Sequence, residues 1–249
     1  MSGMITLDPT LVVLLSSSLS AAAAALGVLP QAVRGRLSSA SIGWSNALAA
    51  GLMLGVAYAL LTLGPGTGVL AVGIGALAGL AFVRLTHAAT GTGELDVKRL
   101  EERGPEYGYQ LILGDALHAA HEGVAIGVAM LVSLPLGVAT ALALAVHNVP
   151  EAMVLVSALT SRGVRLSHAA GIAVAANANQ VLLAIVTFAV AGAAPELLPW
   201  VAGFAVGALL YLVLVDLLPE SYRQAGHTSI ALVAVAALAM VVLLTGAVS

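Results

Sequence analysis

Eight apolar runs, each about 20 residues long and parted by short polar breaks, take up nearly the whole of this 249-residue chain. That length is what an α-helix needs to cross the hydrocarbon core of a bilayer. Backbone groups in lipid must be paired within their own segment, so such runs are helices rather than irregular chain. They are read at about 10–29, 40–63, 68–86, 109–132, 136–160, 166–191, 198–218 and 229–247. Pro30 is expected to end the first, Gly64-Pro65-Gly66 the second, and Ser133-Leu134-Pro135 to turn the chain between the fourth and fifth. The expected fold class is an all-α integral membrane protein, with residues 1–249 forming one transmembrane domain.

Composition agrees. Only 8% of the residues are charged and 60% are hydrophobic, against about 25% charged in a soluble domain. A polar loop at about 87–107 is the one long charged segment, holding Glu94, Asp96, Lys98, Arg99, Glu101, Glu102 and Arg103. The early residues carry only Asp8 and no basic cluster, so the first run is expected to be retained as a helix rather than cleaved as a signal peptide. The net charge of −3 gives no case for nucleic acid.

The basic residues orient the chain. Arg34 and Arg36 follow run one; Arg84, Lys98, Arg99 and Arg103 lie at or in the connection after run three; Arg162 and Arg165 follow run five; Arg223 follows run seven. All nine fall in odd-numbered connections, which the positive-inside rule places in the cytoplasm, leaving both termini outside. A miscounted run would break this alternation.

Ionisable groups inside a bilayer are costly, and here they are few and grouped. Run four carries Asp115, His118, His121 and Glu122; run five carries His147, Asn148 and Glu151; run six carries Asn177, Asn179 and Gln180; run seven carries Asp216. His118 and Glu122 are four apart, as are His147 and Glu151, so each helix presents one imidazole and one carboxylate on one face. Two such helices offer two nitrogens and two carboxylates to one point, a donor set suited to Zn²⁺ and other first-row divalent ions. With no cysteine in the chain, thiolate ligands are excluded. The bland reading is a buried hydrogen-bond network between helices, and Asn177 and Asn179 fit it as packing amides. Asp115, one turn before His118, is open to three readings: it orients that imidazole, lies on an ion path, or caps the helix entry. Pro150 removes a backbone donor and frees the carbonyl near Val146.

Rival chemistries are testable on the same residues. His121-Glu122 begins like the H-E-x-x-H helix of a zinc protease, but position 125 is Ala125. A retinal pump needs a lysine inside a helix, and the one lysine, Lys98, falls in the polar loop. A proton-coupled transporter of another class, using the His/Glu set as a relay, stays open, as does a non-transporting metal sensor or an intramembrane hydrolase.

The segment from Gly114 to Gly127, containing Asp115-Ala116-Leu117-His118-Ala119-Ala120-His121-Glu122-Gly123, resembles the fourth helix of ZIP (Zrt/Irt-like) metal transporters, whose pattern is close to H-N-x-P-E/D-G-x-A-x-G. His147-Asn148-Val149-Pro150-Glu151-Ala152 resembles the fifth-helix partner motif. The stretch Ala49–Gly55 looks like the family's second helix, and Phe204–Tyr211 leading into Asp216-Leu217-Leu218-Pro219-Glu220 like its seventh. The resemblance implies eight helices arranged three plus two plus three with an inverted repeat, a transport site between helices four and five that is often binuclear, a homodimer, and an elevator-like motion of helices one, four, five and six. It implies that His118, Glu122, His147 and Glu151 form the main metal position, with Met53 as a soft ligand; alone, Met53 reads as a packing residue. Asn148, with Glu122 and Glu151 bridging, would belong to a second position, and Gln180 falls where a helix-six carboxylate sits in some bacterial members. The cargo would be Zn²⁺ first, with Fe²⁺, Mn²⁺ and Cd²⁺ as further candidates, taken up through a bacterial inner membrane. Four departures stand out: Ala119 in place of Asn, His121 of Pro, Ala152 of Gly, and Gln180 of a possible Glu. The first and last weaken the second position. His121, about 60° around the helix from His118, is a candidate to compensate.

Overall fold

The computed structural model describes residues 8–35, 37–63, 68–91 and 106–247. The charged residues Glu94 to Arg103, Arg36 and the Gly64-Pro65-Gly66 turn lie outside them. Eight helical elements appear, in the expected order: α1 (Pro9–Val33), α2 (Ser39–Leu63), α3 (Val69–Thr90), α4 (Glu106–Val132), α5 (Leu134–Ser161), α6 (Leu166–Ala193), α7 (Pro195–Gln224) and α8 (His227–Gly246). No strand occurs among the described residues. Seven of the eight are long and apolar enough to cross a membrane; α4 falls outside that group because Asp115, His118, His121 and Glu122 interrupt its apolar run.

Local chemistry sets the ends. The Asp8 carboxylate accepts from the Thr10 N–H at 2.8 Å and caps α1. Ser133 does the same for α5, its Oγ accepting from the Leu136 N–H at 3.2 Å. Two expected boundaries change. Pro30 does not end α1, because it sits in the first turn of a new helical segment, Leu29–Arg34, where no N–H is needed. Gly35, at φ 73, makes the stop. Helix α3 runs past Thr86 to Thr90 and ends at Gly91 in the left-handed region, so His87 belongs to the helix and not to the polar loop.

Three helices are internally broken. Helix α1 passes from α-geometry (Pro9–Ala23) through a 3₁₀ stretch (Ala24–Val28) before resuming. Helix α6 is interrupted at Asn177. Helix α7 contains a π-helical stretch, Leu212–Leu217. Such departures are where helices re-aim side chains.

The most extensive packing pairs are α3 with α7, α4 with α6, α2 with α8, α4 with α5, α2 with α5, and α1 with α5. Four G-x-x-x-G steps explain how closely several of these approach: Gly51/Gly55, Gly75/Gly79, Gly123/Gly127 and Gly203/Gly207. A Cβ at Gly79 would lie 2.1 Å from the Phe204 carbonyl oxygen, one at Gly207 1.9 Å from that of Ala76, one at Gly51 2.2 Å from that of Ala234, and one at Gly123 2.3 Å from that of Gln180. Backbone thus meets backbone at these seams, and the apolar core of Leu52, Ile126, Leu144, Leu209 and Leu212 fills the rest.

Candidate metal centre

Helices α4 and α5 bring Glu122, His147 and Glu151 together: one ligand atom from each lies within 4.8 Å of the other two. His147 is buried and its Nδ1 lies 3.1 Å from the carbonyl oxygen of Ala49 on α2. A carbonyl only accepts, so Nδ1 carries the hydrogen, and in the neutral ring Nε2 presents a lone pair. That lone pair faces Glu122 Oε1 at 2.7 Å and Glu151 Oε2 at 3.3 Å. Three electron-rich atoms therefore converge with no neutral donor among them. None of the three has a hydrogen-bond partner. A proton, on Nε2 or on one of the carboxyls, reconciles them, as does a metal ion.

The other expected residues divide. His118 stands beside the group rather than in it. Its Nδ1 lies 3.0 Å from the Gly114 carbonyl oxygen and 3.7 Å from Glu151 Oε1, while Nε2 faces Asp216 Oδ2 at 3.9 Å. Met53 is fully buried one turn beyond Ala49, on the α2 face that receives His147. Asn148 donates from Nδ2 to the Ser20 carbonyl oxygen at 2.9 Å and to Gln180 Oε1 at 3.1 Å, and Gln180 Nε2 donates to Glu122 Oε2 at 2.8 Å. Asn177 and Asn179 bond to the carbonyls of Ala173 and Ala116. Asp115 is buried with Oδ2 unpartnered.

His121 is not brought to the cluster. Its ring packs against both Phe82 of α3 and Phe204 of α7, with centroids 5.8 and 6.3 Å away. The rotation of about 60° from His118 turns it to the aromatic seam, away from Asn148 and Gln180.

A family profile for the ZIP zinc transporter matches residues 84–248, which contain every polar residue of the cluster. The chain belongs to the ZIP zinc transporter family. Among relatives of this ZIP protein, the zinc transporter GufA of Myxococcus xanthus is 30% identical over 225 residues, spanning 84% of this chain and 88% of that protein. A putative zinc transporter of Arabidopsis thaliana is 33% identical over 196 residues, 76% of this chain but 31% of the plant protein. The human zinc transporter ZIP4 is 33% identical over 115 residues, 46% of this chain and 18% of its own length. The chain thus spans about a third or less of the plant and human proteins and most of the bacterial one. Family membership and the apolar helices together make this a multi-pass membrane protein.

Two features of this ZIP site escape sequence reasoning. His87 and Asp216 face each other at 3.7 Å, and the same Asp216 carboxylate reaches toward His118. Gly91 is the stop signal that could have extended α3 over His87. The second feature is the contribution of α1. Ser20 is fully buried and meets Asn148, and nothing in the sequence sets it apart from its neighbours Ser16, Ser17 and Ser18.

Proposed function

We propose that this ZIP protein takes up a divalent transition-metal ion, Zn²⁺ foremost, into the cytoplasm, binding it between α4 and α5 through Glu122, His147 and Glu151. His118 completes the set by turning its ring from Asp216 to the ion. The carrying observation is the convergence of the His147 lone pair with two carboxylate oxygens in a buried, donor-free position. Two carboxylates balance one dication, and the nitrogen/oxygen donors suit Zn²⁺ and, less selectively, Fe²⁺, Mn²⁺ and Cd²⁺. His118, Asp216 and His87 offer the next donors along a route out of the site. Met53 supplies a soft contact. Gln180 Oε1 is taken up by Asn148, and two carboxylates cannot offset the charge of two dications, which favours a single tight ion over a pair.

The reading includes a three-plus-two-plus-three arrangement with an inverted repeat. Exchanging α1, α2, α3 with α6, α7, α8, and α4 with α5, turns the α3–α7 pair into α8–α2, α4–α6 into α5–α1, and α2–α5 into α7–α4; each image is itself a packing pair. It also includes one transporter domain, a homodimer, both termini outside, and a bacterial inner-membrane location, for which the bacterial relative's coverage is the support.

The test is metal content and flux. Purified protein should bind one Zn²⁺ tightly and carry it into liposomes, and the double variant Glu122→Ala, Glu151→Ala should lose both. Undiminished binding in that variant would sink the site assignment. Turnover that persists in strong chelator would favour the proton-relay reading.

A further inference from the structure

In a continuous α-helix the carbonyl of Ser20 would accept from the N–H of Ala24. Here α1 tightens to 3₁₀ geometry at Ala24, and the Ala24 N–H turns to the carbonyls of Ala21 and Ala22. The Ser20 carbonyl is released into a fully buried position, where such a group must find another partner. It finds the Asn148 amide at 2.9 Å, with Ser20 Oγ 3.4 Å from the same nitrogen. The other Asn148 hydrogen goes to Gln180 Oε1, and Gln180 Nε2 goes to Glu122 Oε2. Asn148 and Gln180 are fully buried, as is Glu122. The chain of contacts runs from α1 to α5, to α6, and ends on the α4 carboxylate that faces His147.

We propose that Ser20 is a positioning residue of the metal site: its carbonyl, freed by the 3₁₀ stretch of α1, locks Asn148, which holds the Gln180 amide against Glu122 and so aims Glu122 Oε1 at the ion. Asn148 acts here through its Nδ2 donors, while its buried Oδ1 has no hydrogen-bond partner. Gly27 lets the 3₁₀ stretch sit against α5; a Cβ there would come within 2.7 Å of the Met153 backbone nitrogen and the Ala152 Cβ. The inference rests on the binding site proposed above, and its test separates the two.

The decisive variant is Asn148→Asp. It keeps the shape, loses both donors and sets a carboxylate oxygen against the Ser20 and Gln180 oxygens. Positioning predicts Zn²⁺ binding weakened about tenfold or more, with a changed ligand-field absorption spectrum of bound Co²⁺ as Glu122 turns. A ligand role predicts equal or tighter binding, or a second ion, and overturns the proposal. Replacing Ala21 with its α-hydroxy analogue makes the 20–21 linkage an ester whose carbonyl accepts more weakly. Binding should fall about three- to tenfold and the Co²⁺ spectrum should shift in the same sense. An identical ester placed before Leu14 controls for the lost N–H, and both proteins should elute as folded species. Unchanged affinity and spectrum in the position-21 ester would refute the role of Ser20. If the unaltered protein binds no metal, the failure belongs to the proposed site and not to this chain of contacts.

Discussion

At the scale of single residues, the pairs His118/Glu122 and His147/Glu151 are legible because a spacing of four fixes a shared helix face whatever the tertiary fold. What the spacing leaves unstated is ring orientation. His118 faces Asp216 and Glu151 at similar range, and no sequence rule chooses between them. His121 departs from expectation for a related reason: its angle from His118 is as expected, but the partners met at that angle, Phe82 and Phe204, come from helices 39 and 83 residues away in sequence. Two predictions belong here. Ala119→Asn combined with Gln180→Glu restores an amide oxygen and a carboxylate, and should raise occupancy of a second ion in metal titrations; two ions of similar affinity in the unaltered protein would contradict the single-ion reading. Metal affinity should also fall as the pH is lowered, because protons compete with the ion for the same imidazole nitrogen and carboxylate oxygens. Binding isotherms at pH 7.5 and 5.5 measure this, and equal affinities would count against histidine ligation.

At the scale of elements, existence and order are legible and the internal breaks are not. Twenty apolar residues in lipid dictate a helix, but nothing in Ala24–Val28 or Leu212–Leu217 distinguishes 3₁₀ or π geometry from the α-helix around it. Those stretches form because neighbours favour them: Asn148 takes the Ser20 carbonyl, and the π stretch carries the Asp216 carboxylate that faces His87. The glycine steps behave oppositely, being visible in sequence yet silent about which helix they meet. Gly207→Ala should destabilise the α3–α7 seam by about 1–3 kcal/mol, since its Cβ cannot coexist with the Ala76 carbonyl. The melting temperature in detergent should drop by about 2–12 °C. Gly73→Ala, whose Cβ meets nothing within 4 Å, is the control and should leave it unchanged.

At the scale of the molecule, all nine basic residues fall in the odd-numbered connections or in the helix ends that border them, Arg84 and Arg223 among the latter, a pattern in residue order that agrees with eight helical elements. The pairing of helices is beyond the reach of sequence, because in a chain this uniformly apolar the faces differ too little to say which meets which. The absence of cysteine makes topology directly measurable. Ser161→Cys, exposed at the end of α5, should react with a membrane-impermeant maleimide only after the cells are opened. Glu196→Cys, exposed in the first turn of α7, should react in intact cells. The reverse pattern would invert the proposed orientation.

Glu122 and Glu151 meeting at one position also has an electrical consequence. In the proposed transport cycle two carboxylates and one dication sum to zero, so a loaded site that crossed the bilayer would move no net charge, and the membrane voltage would do no work on that leg. The emptied site is different. Returning with both carboxylates ionised, it would carry two negative charges through the field, worth about 2.3 kcal/mol per charge for every 100 mV; returning protonated, it would carry none and would move two protons outward for each ion brought in. With an ionised return, voltage acts on how quickly the carrier resets and not on how tightly it loads; with a protonated return, it acts on neither.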